Sequence, residues 1–418
     1  MSALNPGVYK AILRVREAYL FDIGCFLMRF MPYMMNIGTI TMLTLAGHSF
    51  FLAGLVSSCA ALATFLFAPR VSKLVDAFGQ SRVVPWAGLV VLIGLVLMLL
   101  TVSLSGPVWM LFVSAALLGC VPAPQALARA RWTYLIRSGR LGSNAPELRT
   151  MFSYEGVLDD IGFMFSPSIS IALASGITPV AGMLFGGIAF LVGMVALLLS
   201  RTTEPVPGWD ADGEGESREA ARGIARRKSV FRTSAVVRLL FVLMMFLGAF
   251  YAVFDTATVS FAEEAGDPNI ASIVLLVSSF VSMGTGFLFG MLNLRRPPSS
   301  QLLLFAVLIG CAYGTMILIE SIPALFVVAT LAAFTYAPFI IVANGACERA
   351  VPGERLTEAI TWLNAGVTCG MAFGPTVGGA IIDHVSTAAS FDFGGLLAIA
   401  IPVTALLFRH LVRREVRS

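Results

Sequence analysis

Twelve stretches of this chain are apolar over the length needed to cross a bilayer, and that feature constrains its fold more than any other. They lie at about 19–44, 50–72, 83–104, 107–128, 151–175 and 178–200, then at about 236–260, 271–294, 300–319, 323–346, 357–381 and 393–410. At 1.5 Å per residue, about 20 residues cover a hydrocarbon layer roughly 30 Å thick. Backbone groups in lipid have to be paired inside the segment, so each stretch is expected to be a helix. The short alternating segments of a membrane β-barrel do not occur.

Composition agrees. Of 418 residues, 57% are hydrophobic and only 12% are charged, about half the charged share of a soluble domain. The distribution of Lys and Arg then sets an orientation. With both termini inside, every one of the 28 basic residues except Arg29 falls in or beside an inner loop. The outer loops carry Glu263, Glu264, Asp267, Glu320, Asp383 and Asp392 instead. This is the positive-inside pattern, and it implies a multi-pass protein of a bacterial cytoplasmic membrane with cytoplasmic termini. A net charge of +4 therefore speaks of anionic headgroups rather than of nucleic acid. Cys25, Cys59, Cys120, Cys311, Cys347 and Cys369 all fall in or beside spans, so no disulfide is expected. The basic segment before the first span reads as a lead-in helix without a cleavage signal.

The longest hydrophilic stretch begins at Arg201, acidic at first and basic by Arg232. It divides the chain into an amino-terminal bundle over 1–200, a cytoplasmic linker over 201–235 and a carboxy-terminal bundle over 236–418. An internal echo supports the division. The fifth span carries Gly162, Ser166, Pro167 and Ser170; the eleventh carries Gly370, Gly374, Pro375 and Gly378 at the same offsets. Small residues at such spacing let helix backbones approach closely, and parallel six-helix repeats are one known transporter plan.

Several segments resemble the major facilitator superfamily. The loop RVSKLVDAFGQSR, from Arg70 to Arg82, is similar to the family's Gly-x-x-x-Asp-Arg-x-Gly-Arg-Arg loop, with Asp76, Gly79 and Arg82 at matching places. Ser72, Ala77, Gln80 and Ser81 depart from that pattern. The resemblance implies that Asp76 latches the cytoplasmic helix ends and anchors an inner gate. GVTCGMAFGPTVGG in the eleventh span resembles a Gly-rich signature that drug–proton antiporters usually carry in the fifth span. GCVPAPQALARARW, from Gly119, and PGERLTEAITW, from Pro352, resemble a bacterial subgroup of the superfamily whose substrates are mostly unassigned. The fold implied is all-α, with twelve transmembrane helices in two six-helix bundles.

No nucleophile and base stand together as an enzyme would need, the three His (His48, His384, His410) sit at span ends, and neither a cofactor nor a metal is expected. The informative residues are ionisable groups within spans, which are costly to expose to lipid. Asp22 and Arg29 lie seven apart on one face of the first span. Glu155 and Asp159, four apart, share the face of the fifth span that carries Gly162, and Asp160 points about 100° away. Arg29 and Asp159 enter from the same side to about 15 Å and about 12 Å, so they are expected to meet. Asp255 is placed near the outer end of the seventh span, and Tyr33, Phe250, Tyr251, Tyr313, Tyr336 and Trp362 are candidate pocket walls.

The resulting expectation is a functional monomer in a lipid bilayer that moves a small organic solute by alternating access. Protons are the expected coupling ion and efflux the expected direction. An uptake permease and a non-transporting receptor of the same fold are the alternatives. The topology has a direct test. A membrane-impermeant thiol reagent added from outside should label a cysteine placed at Gly266 and not one placed at Gly213; the reverse pattern would invert the orientation.

Overall fold

Helix boundaries follow local chemistry. The structure is a computed structural model and describes residues 16–141, 148–205, 230–291, 298–351, 356–408 and 410. The regular elements among them are all helical. Most of the expected linker, 206–229, and the lead-in segment to residue 15 lie outside the described residues.

In chain order the helices are α1 (Arg16–Leu45), α2 (Phe50–Phe78), α3 (Gln80–Ser103), an interrupted α4 (Trp109–Leu118, then Pro124–Arg137), α5 (Leu148–Gly176) and α6 (Ala181–Leu199). After a one-turn helix at Val230–Thr233 come α7 (Ala235–Glu264), α8 (Asn269–Met291), α9 (Pro298–Gly314), α10 (Ile322–Ala350), α11 (Leu356–His384) and α12 (Thr387–Leu407). Serine side chains open four of them. Ser49 accepts from the Leu52 amide at 3.2 Å, Ser234 from Val237 at 3.3 Å, Ser321 from Ala324 at 3.4 Å and Ser386 from Ala389 at 3.1 Å, each filling a donor that a helix start leaves free.

Ten of these helices are long and apolar enough to cross a membrane. The remaining two places belong to α1 and α4. Asp22, Arg29 and Asn36 make α1 more polar than the others. Prolines interrupt α4: Pro122 and Pro124 lack amide hydrogens, the ladder breaks over 119–123, and Pro124 restarts the helix in its first turn. The second piece runs on to Arg137, about two turns beyond the expected end near residue 128. It therefore keeps Arg131 and Trp132 inside the bundle rather than in a loop. Exposed apolar stripes are plain on α3, at Trp86, Leu89, Ile93, Val96 and Leu100, and on α6, at Ile188, Val192, Val195 and Leu199.

The chain forms two compact units, 1–42 with 62–220 and 43–61 with 221–418. In the first, α3 packs on α6 and on the first piece of α4, and α5 packs on α6 and the second piece of α4. In the second, α7 packs most extensively on α11 and then on α12, while α9 packs on α10 and α12. The start of α2 is fixed inside this second unit. Asp383 of α11 accepts from the Phe50 and Phe51 amides at 3.1 and 2.7 Å, placing a carboxylate at a helix amino terminus. One edge further along, Ser58 donates to the Ala372 carbonyl and lies 2.7 Å from Thr376 Oγ1.

The repeated small-residue pattern has the same use in both units. In the first, a Cβ on Gly162 of α5 would press on the Tyr33 ring of α1 at 3.2 Å. In the second, a Cβ on Gly374 of α11 would lie 2.7 Å from the Ala249 carbonyl of α7, and one on Gly370 would overlap the Met245 carbonyl. From the facing side, a Cβ on Gly248 would overlap the Val367 carbonyl. Backbone therefore meets backbone between α7 and α11. Pro167 and Pro375 both sit inside their helices, and Pro375 carries the carbonyl against which Gly54 of α2 packs. Gly378 has more room, with Ser390 and Val253 side-chain atoms at 3.4–3.5 Å.

Gly370→Val is therefore expected to destabilise the purified protein by about 1–3 kcal/mol or more, because the added atoms meet carbonyl oxygen rather than a yielding side chain. Gly345→Ala, where nothing lies within 4 Å, should leave the melting temperature unchanged. Equal melting temperatures for the two variants would contradict the close α7–α11 packing.

Candidate functional site

Three carboxylates and two guanidiniums meet inside the first unit, where α1, α5 and the second piece of α4 converge. Arg29 is 1% exposed, beyond the reach of bulk water, and Glu155 is fully buried. They form an ion pair. Asp159, one turn along α5, places Oδ1 3.2 Å from Arg29 Nε. That approach is an ion pair without a directed hydrogen bond, and Nη1 of Arg29 also lacks a hydrogen-bond partner. Tyr33, one turn beyond Arg29, donates to Asp159 Oδ1 at 3.0 Å. Arg129 reaches the other oxygen, Oδ2, at 3.3 Å from a half-exposed position.

Trp132 ties this group to Asp22. Its indole N–H lies 3.1 Å from Asp22 Oδ1 and 3.1 Å from Glu155 Oε1, and so donates to two carboxylates at once. Tyr154 donates to Asp22 Oδ2 at 2.7 Å. The helical period explains the assembly. Glu155 and Asp159 stack on one face of α5, Arg29 and Tyr33 stack on α1, and Arg129 and Trp132 are three apart on α4. Three carboxylates are thus held by two guanidiniums and three neutral donors. Asp160 lies at the exposed edge of α5, outside this set.

Arg131, the neighbour of Trp132, turns the other way and is also fully buried. Its Nε donates to Gln80 Oε1 at 2.7 Å, and Nη1 donates to the Ser200 carbonyl at 2.6 Å and Thr203 Oγ1 at 2.8 Å. Ser200 caps the carboxyl end of α6, so the cation stands where the helix dipole is negative. Glu204 accepts from the Ser81 amide at the start of α3 at 2.8 Å. These contacts lash α3, α4 and α6 together beside the carboxylate cluster.

The loop between α2 and α3 takes the shape its sequence suggests. Gly79 adopts φ 91°, a backbone conformation that favours glycine, and precedes the first residue of α3. Asp76 and Arg82 are exposed. A small cavity beside the loop is lined by Val75, Asp76, Gln80, Pro122, Ala126 and Leu127.

Asp255 stands apart, in the second unit. Because α7 continues to Glu264, it lies nine residues, about 14 Å, from the helix end. Sequence reasoning missed Trp132, Tyr154, Arg129, Arg131 and Gln80 as partners. The available signal was the i, i+3 spacing of Arg129 and Trp132 just past the proline pair, which becomes meaningful once the helix is extended.

The sequence profile of the Major Facilitator Superfamily matches residues 23–323 and again 262–418. The chain belongs to this superfamily, and it is a multi-pass membrane protein of the transporter class. A search of curated proteins finds no match. Among solved structures, the POT family transporter PepTSo is similar at 13% identity and TM-score 0.67, over 96% of this chain and 99% of the other. A mutant of the nucleoside transporter NupG is similar at 14% identity and TM-score 0.68, over 95% and 100%. The peptide transporter POT in complex with sulfate gives 15% identity and TM-score 0.68, over 96% of each chain. At these identities the likeness concerns the fold.

Removing one partner of a buried pair leaves the other charge uncompensated, at a cost of about 3–5 kcal/mol. Glu155→Leu should accordingly destabilise the protein far more than the double change Arg29→Met with Glu155→Leu, which removes both charges. Thermal melting of the three proteins in detergent checks this. A double variant no more stable than the single one would mean that the pair carries little of the local energetics.

Proposed function

We propose that this protein is a proton-coupled secondary transporter that expels a small organic solute by alternating access, and that the Arg29–Glu155–Asp159 cluster is its coupling element. The carrying observation is the mismatch of charge inside the first unit: Glu155 and Asp159 pair with Arg29 and Arg129, and Asp22 joins them through the Trp132 indole as a third carboxylate. One bound proton balances three carboxylates against two guanidiniums. The unfilled donors of Arg29 favour a group whose partners change during the cycle. Coupling requires that these partners separate and re-form as the protein passes between its two states, so that a bound proton and the solute bias the same equilibrium.

The remaining assignments belong to the same reading. Asp76, Gly79 and Arg82 form the inner gate, with Asp76 acting on the balance between two states. Both termini and the linker face the cytoplasm of a bacterial inner membrane, in a six-plus-six chain order divided near 201–235, and the monomer is the working unit. Charge placement and the repeated helix pairing support these assignments.

Asp159 suits a test better than Glu155 because it is partly exposed, at 20%, and its loss burdens folding less. In proteoliposomes, Asp159→Asn should lose solute movement driven by a proton gradient by tenfold or more while retaining solute exchange at zero gradient. Parallel loss of both, in a protein of reduced melting temperature, would assign the cluster to structure alone.

A further inference from the structure

Buried carboxylates in apolar surroundings need a counter-charge, a proton or a full set of donors. Asp255 has an incomplete set. It is 6% exposed, Oδ1 has no hydrogen-bond partner, and no described Lys or Arg forms an ion pair with it. The contrast with Glu155 is instructive, since that carboxylate is fully occupied by Arg29 and Trp132.

What surrounds Asp255 is aromatic. Tyr251, one turn back on α7, Tyr313 of α9 and Tyr336 of α10 all lie within electrostatic reach of its carboxylate. The Tyr251 and Tyr336 rings tilt over one another with centroids 5.1 Å apart, and Tyr313 packs on Phe250 at 4.2 Å and on Phe254 at 6.2 Å. Tyr313 is buried, whereas Tyr251 and Tyr336 are only partly so. Aromatic surface therefore remains uncovered one helical turn from the carboxylate. Thr258, on the same helix, is buried with its hydroxyl also unpartnered.

A lone carboxylate among tyrosine rings has the chemistry of an ammonium receptor. The carboxylate supplies the opposite charge, ring faces supply cation–π attraction, and burial strengthens both. We infer that Asp255, with Tyr251, Tyr313 and Tyr336, binds the cationic amine of an organic solute, so that the substrates of this protein are amphipathic organic cations. The inference rests on the transporter reading above and names its substrate class. The bound cation supplies the missing counter-charge, and the rings select a cation with an apolar body over a hydrated inorganic one.

Equilibrium binding separates this site from the coupling cluster, because it needs no gradient. The probes are phenethylamine, its fixed-charge analogue phenethyltrimethylammonium, and the neutral 3-phenylpropan-1-ol, titrated into full-length protein in nanodiscs at about pH 7.5, where the amine is protonated. Both cations are expected to bind at least tenfold more tightly than the alcohol. Asp255→Asn should weaken both cations tenfold or more and leave the alcohol unchanged. Tyr336→Ala should weaken the fixed-charge probe severalfold at an unaltered melting temperature. Gly345→Ala, where nothing lies within 4 Å of the added atom, should bind all three as wild type does; because binding needs no gradient, failure of the coupling reading would show in driven transport alone. Absence of cation binding, equal binding of cation and alcohol, or undiminished cation affinity in a folded Asp255→Asn protein would each overturn the inference. The last of these results would leave Asp255 to a proton.

Discussion

An arginine held out of water in the middle of an apolar bundle is the constraint around which the first unit is organised. Arg29 cannot be neutralised at any ordinary pH, and lipid offers it nothing. Glu155 and Asp159 therefore have to come to it, which fixes the rotation of α5 about its axis, and Tyr33 and Gly162 complete that contact. Once two carboxylates stand there, Trp132 and Arg129 are required to finish their hydrogen bonds. The extension of α4 beyond its proline break delivers both. Asp22 and Tyr154 join through the same indole. The polar network thus specifies how three helices meet at a depth where hydrophobic contact alone would leave their rotation open.

The second unit solves the equivalent problem without charge. Gly248, Gly366, Gly370 and Gly374 bring α7 and α11 into backbone contact, and dispersion over that close surface replaces ion pairing. The two units share a pairing of first with fifth helix but differ in what holds it. Asp255, the one buried carboxylate among the described residues of the second unit, has no such ion pairing.

The helices and the pairing of Arg29 with the Glu155–Asp159 face were legible in the sequence, because helical period and rise are arithmetic on residue number. The shared small-residue offset likewise announced close helix contact, and the structure gives each glycine of the pattern a neighbour. Less was legible around α4. Its second piece contains three arginines at Arg129, Arg131 and Arg137, and hydropathy reads such a run as a loop. Only tertiary contact reveals that Arg131 spends its charge on Gln80, Ser200 and Thr203. The end of α7 was illegible for a related reason. Glu263 and Glu264 ended the apolar run, yet Thr44 donates to Glu263 at 2.7 Å and Thr387 donates to Glu264, so the helix continues past the point where hydrophobicity stops.

The break in α4 has a mechanical consequence. Axial and torsional stiffness in a helix is carried by its ladder of hydrogen bonds, and between Gly119 and Ala123 that ladder is cut. Twist applied to Trp109–Leu118 is therefore not transmitted to Pro124–Arg137. The second piece is instead geared to its neighbours, to α3 and α6 through Arg131 and to α1 and α5 through Trp132. It therefore touches four other helices at once, and Trp132 and Arg131, adjacent in sequence, place the α1–α5 contact next to the ends of α3 and α6, where the Gly79 turn begins.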